Sequence, residues 1–293
     1  MSPQRLRTLL DQALVRRLLR GVYVAAQAED SQRLRAAALR LVVPQGFVVT
    51  DESAGWLLGA PMILAPGAHR VVPPLTMFGT DGHTRLRNDL ADSGTRQLSP
   101  ADRIEIDGVL VTTALRTACD LGRLRHRDRA LAAMDQLLAL GAFDRDQLIE
   151  EAGRFAGFRG VRQLRTLSPL ADHRSESPGE SALRLRFYDA VLPAPTPQFV
   201  IRDADGAFLG RADLAIPELR YVAEYDGVRW HGVEKVEHDR RRRDRFRDAG
   251  WTVTVLTADN VFGRKADGID LLRAGVRQSR RNLGEGRTER RTA

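Results

Sequence analysis

The chain has 293 residues, more than one small core usually takes, and its 43% hydrophobic and 29% charged residues describe a globular protein rather than a disordered or fibrous one. Forty-six basic side chains against 38 acidic ones leave a formal charge of +8, which favours a polyanionic partner, nucleic acid before membrane. No run reaches the roughly 18 apolar residues of a membrane helix, no leader peptide is evident, and the single cysteine, Cys119, excludes a disulfide framework or a zinc site of several thiolates; the expected compartment is the cytoplasm.

Leu6, Leu9, Leu10, Leu14 and Leu18 recur at helical spacing, which predicts a helix over residues 4–19; Gly21 ends it and residues 22–24 read as a short strand. A second helix is expected over 31–42 and a third from Asp51. Residues 62–112 alternate short strands with turns at Pro66-Gly67, Pro73-Pro74 and Asp81-Gly82. Residues 113–168 return to helices punctuated by Gly122, Gly141 and Gly160. The polar, aperiodic stretch 172–179 reads as a boundary.

Beyond it the pattern becomes helix, strands, helix, strand. Ser177-Pro178-Gly179-Glu180 supplies an N-cap serine, a proline at the first helical position and a glutamate at the third, and Leu183, Phe187 and Val191 follow at helical spacing. Residues 198–202 and 208–216 read as strands joined by the turn 203–206, and the turn 217–220 leads into a strand over 221–226. A charged helix covers roughly 236–249, and 251–256 is the last strand. The tail from Arg273, with seven arginines against Glu285 and Glu289, reads as a frayed helix passing into disorder.

A four-residue turn between strands ending at Ile216 and starting at Tyr221 fixes the antiparallel register: Asp213 falls opposite Glu224 and Arg211 opposite Asp226. One face then carries Ala212, Leu214 and Ile216 with Tyr221, Ala223 and Tyr225 and is a core face; the other carries Arg211, Asp213 and Ala215 with Val222, Glu224 and Asp226 and is not. Opposed carboxylates repel at a Cβ separation of about 4.5–5.5 Å and need a proton, a cation or abundant water. A divalent ion would meet that need, and a water on it could attack a phosphodiester. Glu180 would complete the cluster if its helix packs across the sheet. Other readings stand beside this one: Glu180 as a capping residue paired with Arg184, Asp226 paired with Arg211, or a register shifted by one, which would separate Asp213 from Glu224.

The run Arg211-Ala212-Asp213-Leu214-Ala215-Ile216-Pro217-Glu218, then Val222-Ala223-Glu224-Tyr225-Asp226-Gly227, His231, Asp239-Arg240-Arg241-Arg242, Phe246, Gly250-Trp251 and Val253, resembles the PD-(D/E)XK nuclease superfamily over about residues 175–262. Within it, the branch related to the very-short-patch-repair mismatch endonuclease is the most similar. The resemblance implies a restriction-endonuclease-like αβββαβ core, Asp213 and Glu224 as ligands of Mg2+ or Mn2+, Glu180 supporting them, Asp226 at the edge of the site and His231 near the scissile phosphate. It also turns Asp239 and Arg242 toward the site; an exposed helix laced with pairs such as Arg240 with Asp244 is the other reading, and a surface loop histidine the other reading of His231. The superfamily's lysine, two residues after the second acidic ligand, is replaced here by Asp226. A second anion cannot stabilise transition-state charge as lysine would, which leaves that task to the metal and to His231 or Arg242.

Residues 16–24, Ser53-Ala54-Gly55-Trp56-Leu57-Leu58-Gly59 and the run Val111-Thr112-Thr113-Ala114-Leu115-Arg116-Thr117-Ala118-Cys119-Asp120-Leu121 resemble AbiEi-type antitoxins of type IV toxin–antitoxin systems over about residues 5–140. That resemblance implies a winged helix-turn-helix that binds DNA, with Gly21-Val22-Tyr23 opening the wing and Arg16, Arg17 and Arg20 touching phosphates. The same arginines also fit a helix end whose dipole they complement. Thr117, Cys119 and Asp120 read as packing and capping residues. The resulting expectation is an α/β chain, α+β overall: a winged-helix-like region over 1–80, mixed strands then helices over 81–174, an endonuclease-like domain over 175–265 and a basic tail over 266–293. The function expected first is a metal-dependent DNA endonuclease or nickase; the alternative is a non-catalytic, antitoxin-like DNA-binding regulator with a degenerate nuclease fold. DNA is the expected partner, with no membrane and no small-molecule ligand beyond the metal.

Overall fold

In the computed structural model, which describes residues 1–68, 72, 74–79, 86, 91–227, 233–263 and 267–292, Ser2 accepts from the Arg5 N–H and Pro3 opens helix α1 (Pro3–Asp11). The helix ends there and does not run on to residue 19. Ala13 takes a left-handed φ of 52°, and strand β1 (Val15–Leu19) turns at Arg20-Gly21 into β2 (Val22–Ala25). Leucines at helical spacing misread this stretch because the strand pairing of residues 15–19 with 22–25 satisfies their backbone groups and buries Leu19 and Val22 in a core.

The chain divides into two compact units, residues 1–63 with 67–171, and residues 64–66 with 172–293. In the first unit the hairpin is followed by α2 (Gln32–Arg40), β3 (Phe47–Val49), α3 (Asp51–Leu58), β4 (Leu75–Gly79), β5 (Ala91–Thr95), β6 (Arg103–Ile106) and β7 (Val109–Thr112). The sheet order is β5-β4-β3-β7-β6. A division near residue 80 therefore cuts between two neighbouring strands of one sheet, β4 and β5, and the unit is continuous across it. Val48, Val49 and Val111 are buried without exposed area, as Leu39 and Leu57 are from α2 and α3. The unit closes with α4 (Ala114–Leu124), α5 (Arg127–Leu138), α6 (Arg145–Arg154) and α7 (Val161–Leu167), which bury Leu121, Leu131, Met134, Leu148 and Leu164.

The second unit runs α8 (Pro178–Asp189), β8 (Thr196–Arg202), β9 (Phe208–Ile216), β10 (Tyr221–Asp226), α9 (Val233–Asp248) and β11 (Thr252–Thr257), the expected αβββαβ order, then α10 (Ala258–Phe262) and α11 (Gly268–Thr292). With the three sheets, this gives the chain the α+β class expected. The sheet order is β11-β10-β9-β8; β9 pairs antiparallel with its neighbours, and β10 pairs parallel with β11. The register is the expected one, Ile216 with Tyr221, Ala215 with Val222 and Leu214 with Ala223.

Several expectations are corrected here. The second face of the β9–β10 pair is also a core face, because Ala215 and Val222 bury against Phe246 of α9. Ala212 belongs to that same cluster rather than to Leu214's, so the strand's alternation breaks beside Asp213. The tail holds the expected helix, α11, through Thr292 and packs it on the sheet. Leu272 and Val276 of α11 bury against Tyr221, Leu256 and Phe187, and the Ser279 hydroxyl donates to the Leu219 carbonyl. Val191, grouped with Leu183 and Phe187 by spacing, lies beyond α8 and is exposed. Among the described residues no helix is long and apolar enough to cross a membrane.

Candidate functional site

In the second unit three acidic side chains gather on the sheet. Glu180 comes from the first turn of α8, which Ser177 caps by accepting from the Glu180 N–H at 3.2 Å. Gly179 sets the approach of that turn: a Cβ there would fall within the Tyr225 ring of β10. Glu180 Oε2 accepts from the Glu176 N–H at 3.0 Å and from Gln198 Nε2 at 2.8 Å. Its capping role is thus real but reaches Glu176 rather than the N-cap residue itself. Gln198, inside β8, takes a left-handed φ of 54° between the pairs Pro197–Leu214 and Phe199–Ala212, across from Asp213. That strained backbone sits where the strand alternation breaks.

Asp213 Oδ2 accepts from the Tyr225 N–H at 2.9 Å. Burial first, then the charges of Glu180 and Glu224, push its carboxyl up to about 7, against the pull of the Tyr225 N–H and of Arg242. Glu180 is also raised, chiefly by burial. Glu224 is buried and held by two guanidinium groups of α9: Arg243 Nε at 2.7 Å and Arg242 Nη2 at 3.0 Å. Burial works against the charge on Arg243, but the hydrogen bond and charge of Glu224 outweigh it and raise its pKa. Carboxylates crowded on neighbouring strands require a cation or a proton, and this site has guanidinium on Glu224 and a raised proton affinity on Asp213.

The sequence-derived residues therefore converge in part. Asp226 lies at the edge, 3.7 Å from Arg243 Nη2, and does not pair with Arg211, which takes Glu176 Oε2 at 2.9 Å. Asp239 stands 3.6 Å from Arg242 and reaches the cluster through it. The helix pairs run from Arg241 to Glu237 and from Arg247 to Asp244 rather than from Arg240 to Asp244. His231 lies outside the described residues. Arg243, Gln198 and Glu176 were missed; only Arg243 carried a signal, its i+4 spacing from Asp239.

The expected Mg2+ or Mn2+ ligands, Asp213 and Glu224, stand on the neighbouring strands β9 and β10. Magnesium binds at about 2.0–2.1 Å through one or two carboxylates and keeps several waters. Here Arg242 and Arg243 engage Glu224, whose Oε1 is buried without a hydrogen-bond partner.

In the first unit, Arg17 and Arg20 are exposed on the β1–β2 hairpin, whereas Arg16 is half-buried and donates from Nη2 to the Ala28 carbonyl at 3.1 Å. None of the three ends a helix, so a dipole role does not apply to them. Cys119 is fully buried, which pushes its thiol far up and leaves no thiolate for nucleophilic work.

Residues 45–170 match the AbiEi antitoxin C-terminal domain, a span that starts after the hairpin and runs through α7 rather than covering 5–140. Two uncharacterized proteins of Mycobacterium tuberculosis, MT2308 of strain CDC 1551 and Rv2248 of strain H37Rv, are each 31% identical to this chain over 245 residues, which is 82% of this chain and 84% of theirs. No solved structure matches.

Proposed function

The chain belongs to the family of the mycobacterial proteins MT2308 and Rv2248, and from that membership and its AbiEi antitoxin C-terminal match we propose a non-catalytic, DNA-binding regulator of the antitoxin type. The match at residues 45–170 carries this reading. Two further features support it. The formal charge of +8 favours a polyanion, and exposed arginines precede and line the hairpin, Arg5 and Arg7 on α1 and Arg17 and Arg20 beyond it. In this reading they hold phosphates and set the protein's position on the duplex, with the hairpin as the wing. The non-catalytic half rests on the arginines that occupy Glu224.

Fluorescence anisotropy with duplex DNA, titrated between about 50 and 200 mM salt, tests the proposal. Binding should weaken steeply as salt rises, and the Arg17→Ala/Arg20→Ala double variant should flatten the slope of log K against log salt by about 2, near 0.9 per lost phosphate contact. A folded protein that leaves DNA migration and anisotropy unchanged at the lowest salt would refute the reading and turn attention to a protein partner.

A further inference from the structure

The first unit contains a second concentration of charge that the functional reading does not use. Asp51, Asp102 and Asp120 are all buried, at the start of α3, just before β6 and within α4. Arg96, on the segment after β5, grips both oxygens of Asp51 at 2.8 and 3.0 Å, reaches Asp120 at 3.1 Å and lies 3.8 Å above the Phe78 ring. Arg116 of α4 links Asp120 and Asp102, each at 2.9 Å, and donates to the Gln97 carbonyl at 3.0 Å. Arg154, at the end of α6, engages Asp102 and Glu151 through Nη2. Burial opposes the charge of Arg96, and the hydrogen bonds and charges of Asp51 and Asp120 more than offset it. A buried ion network of this kind is poor value as a source of stability, since apolar residues of equal volume commonly do as well. What it does supply is guanidinium groups fixed in direction.

Those groups border a cleft of about 580 Å3 within the unit. That is the size range of small-molecule sites, about 300–1,000 Å3. Three guanidiniums, Arg96, Arg116 and Arg154, face one lining carboxylate, Asp102; Asp51 and Asp120 are not among the lining residues. Arg96 and Arg116 are already paired within the network, so any anion in the cleft would meet chiefly Arg154, whose forked donors match phosphate. Arg154 is the accessible one, with a side chain 41% exposed and its bonds to Asp102 and Glu151 both made through Nη2. Beside it Phe158 also lines the cleft, is 38% exposed and stands edge-on to Phe155 at 5.6 Å; the Arg123 guanidinium lies 5.6 Å from its ring centre, and its exposed part is what a planar partner would meet. Thr95, Gln97 and Ser99 supply the polar groups that would orient a ligand.

We propose that this cleft binds a phosphorylated nucleoside of mononucleotide size, its phosphate on the Arg154 side and its base against Phe158. The proposal goes beyond DNA binding and does not depend on it. Calorimetry on the full chain, titrating AMP, GMP, CMP and UMP with inorganic phosphate and adenosine as controls, tests it. At least one mononucleotide should bind about tenfold more tightly than phosphate or nucleoside alone, and Arg154→Gln and Phe158→Ala should each weaken it about tenfold and fivefold. Both residues are exposed, so the variants should keep the wild-type circular dichroism melt; a variant that does not is replaced by Arg154→Lys or Phe158→Leu. Four outcomes overturn the proposal: no binding up to about 5 mM ligand; phosphate alone binding as well as the nucleotide; folded variants binding like the wild type; or duplex DNA displacing the nucleotide while Arg154→Gln weakens DNA to the same degree, which would assign the cleft to the nucleic acid backbone. DNA retention that persists without nucleotide binding would leave the regulatory reading standing and remove this one.

Discussion

Asp213 is poised because three influences meet on one carboxyl: burial, the neighbouring charges of Glu180 and Glu224, and an opposing Tyr225 N–H. Unfolded, the group ionises near 3.8; folded, it keeps its proton to about 7. Its contribution to stability is therefore full below about pH 4, declines as pH rises toward 7 and stays lost above. Asp213→Asn keeps an acceptor for Tyr225 and removes the titration. It should be more stable than the wild type by about 1–3 kcal/mol at pH 8.5, after allowance for solvent screening, and the advantage should vanish near pH 4, as read by urea denaturation at both pH values. A pH-independent difference would mean the carboxyl does not titrate in this range. Asp120 teaches a different lesson at the same scale. As a helical residue beside Cys119 it reads as a packing or capping group, yet it accepts from Arg96, Arg116 and Arg123. Two of those donors come from its own helix at i−4 and i+3, but Arg96 comes from a distant loop, and no local spacing announces that contact.

At the scale of elements, local chemistry placed most helices and strands, and failed where tertiary pairing overrode it. The N-terminal leucines have helical spacing, but the hairpin buries two of the same residues' neighbours, Leu19 and Val22, more fully than any residue of α1, which buries none. The C-terminal arginines read as a frayed helix passing into disorder, and α11 is in fact seated on the sheet through Leu272, Val276 and Gly275. A Cβ on Gly275 would press on Thr254 Oγ1 and on the Tyr221 ring at 2.6 Å. Gly275→Val should accordingly lift the helix, lower stability by about 3 kcal/mol in urea and open new tryptic sites within residues 273–281. Gly284→Ala, where an added Cβ meets nothing, should be neutral or stabilising by up to about 1 kcal/mol. Equal loss in both variants would show that the interior of α11 makes no close contact with the sheet.

For the whole molecule, the chemistry turns on whether the acidic cluster is a metal site or a charge-balanced core. With Glu224 held by Arg242 and Arg243, supercoiled plasmid incubated with Mg2+ or Mn2+ should remain supercoiled; nicking that disappears in Asp213→Ala would restore the hydrolytic reading. By itself the sequence determined the αβββαβ order, the β9–β10 register and the AbiEi likeness of the first unit, because alternation, a four-residue turn and short motifs are local properties that any fold must respect. Only the tertiary structure decided that both faces of β9 and β10 are covered, that arginines of α9 fill the charge requirement of Glu224, and that Arg96, Arg116 and Arg154 border one cleft. Those facts depend on which distant side chains share a low-dielectric space, and a charge's worth there is set by partners that spacing along the chain does not specify.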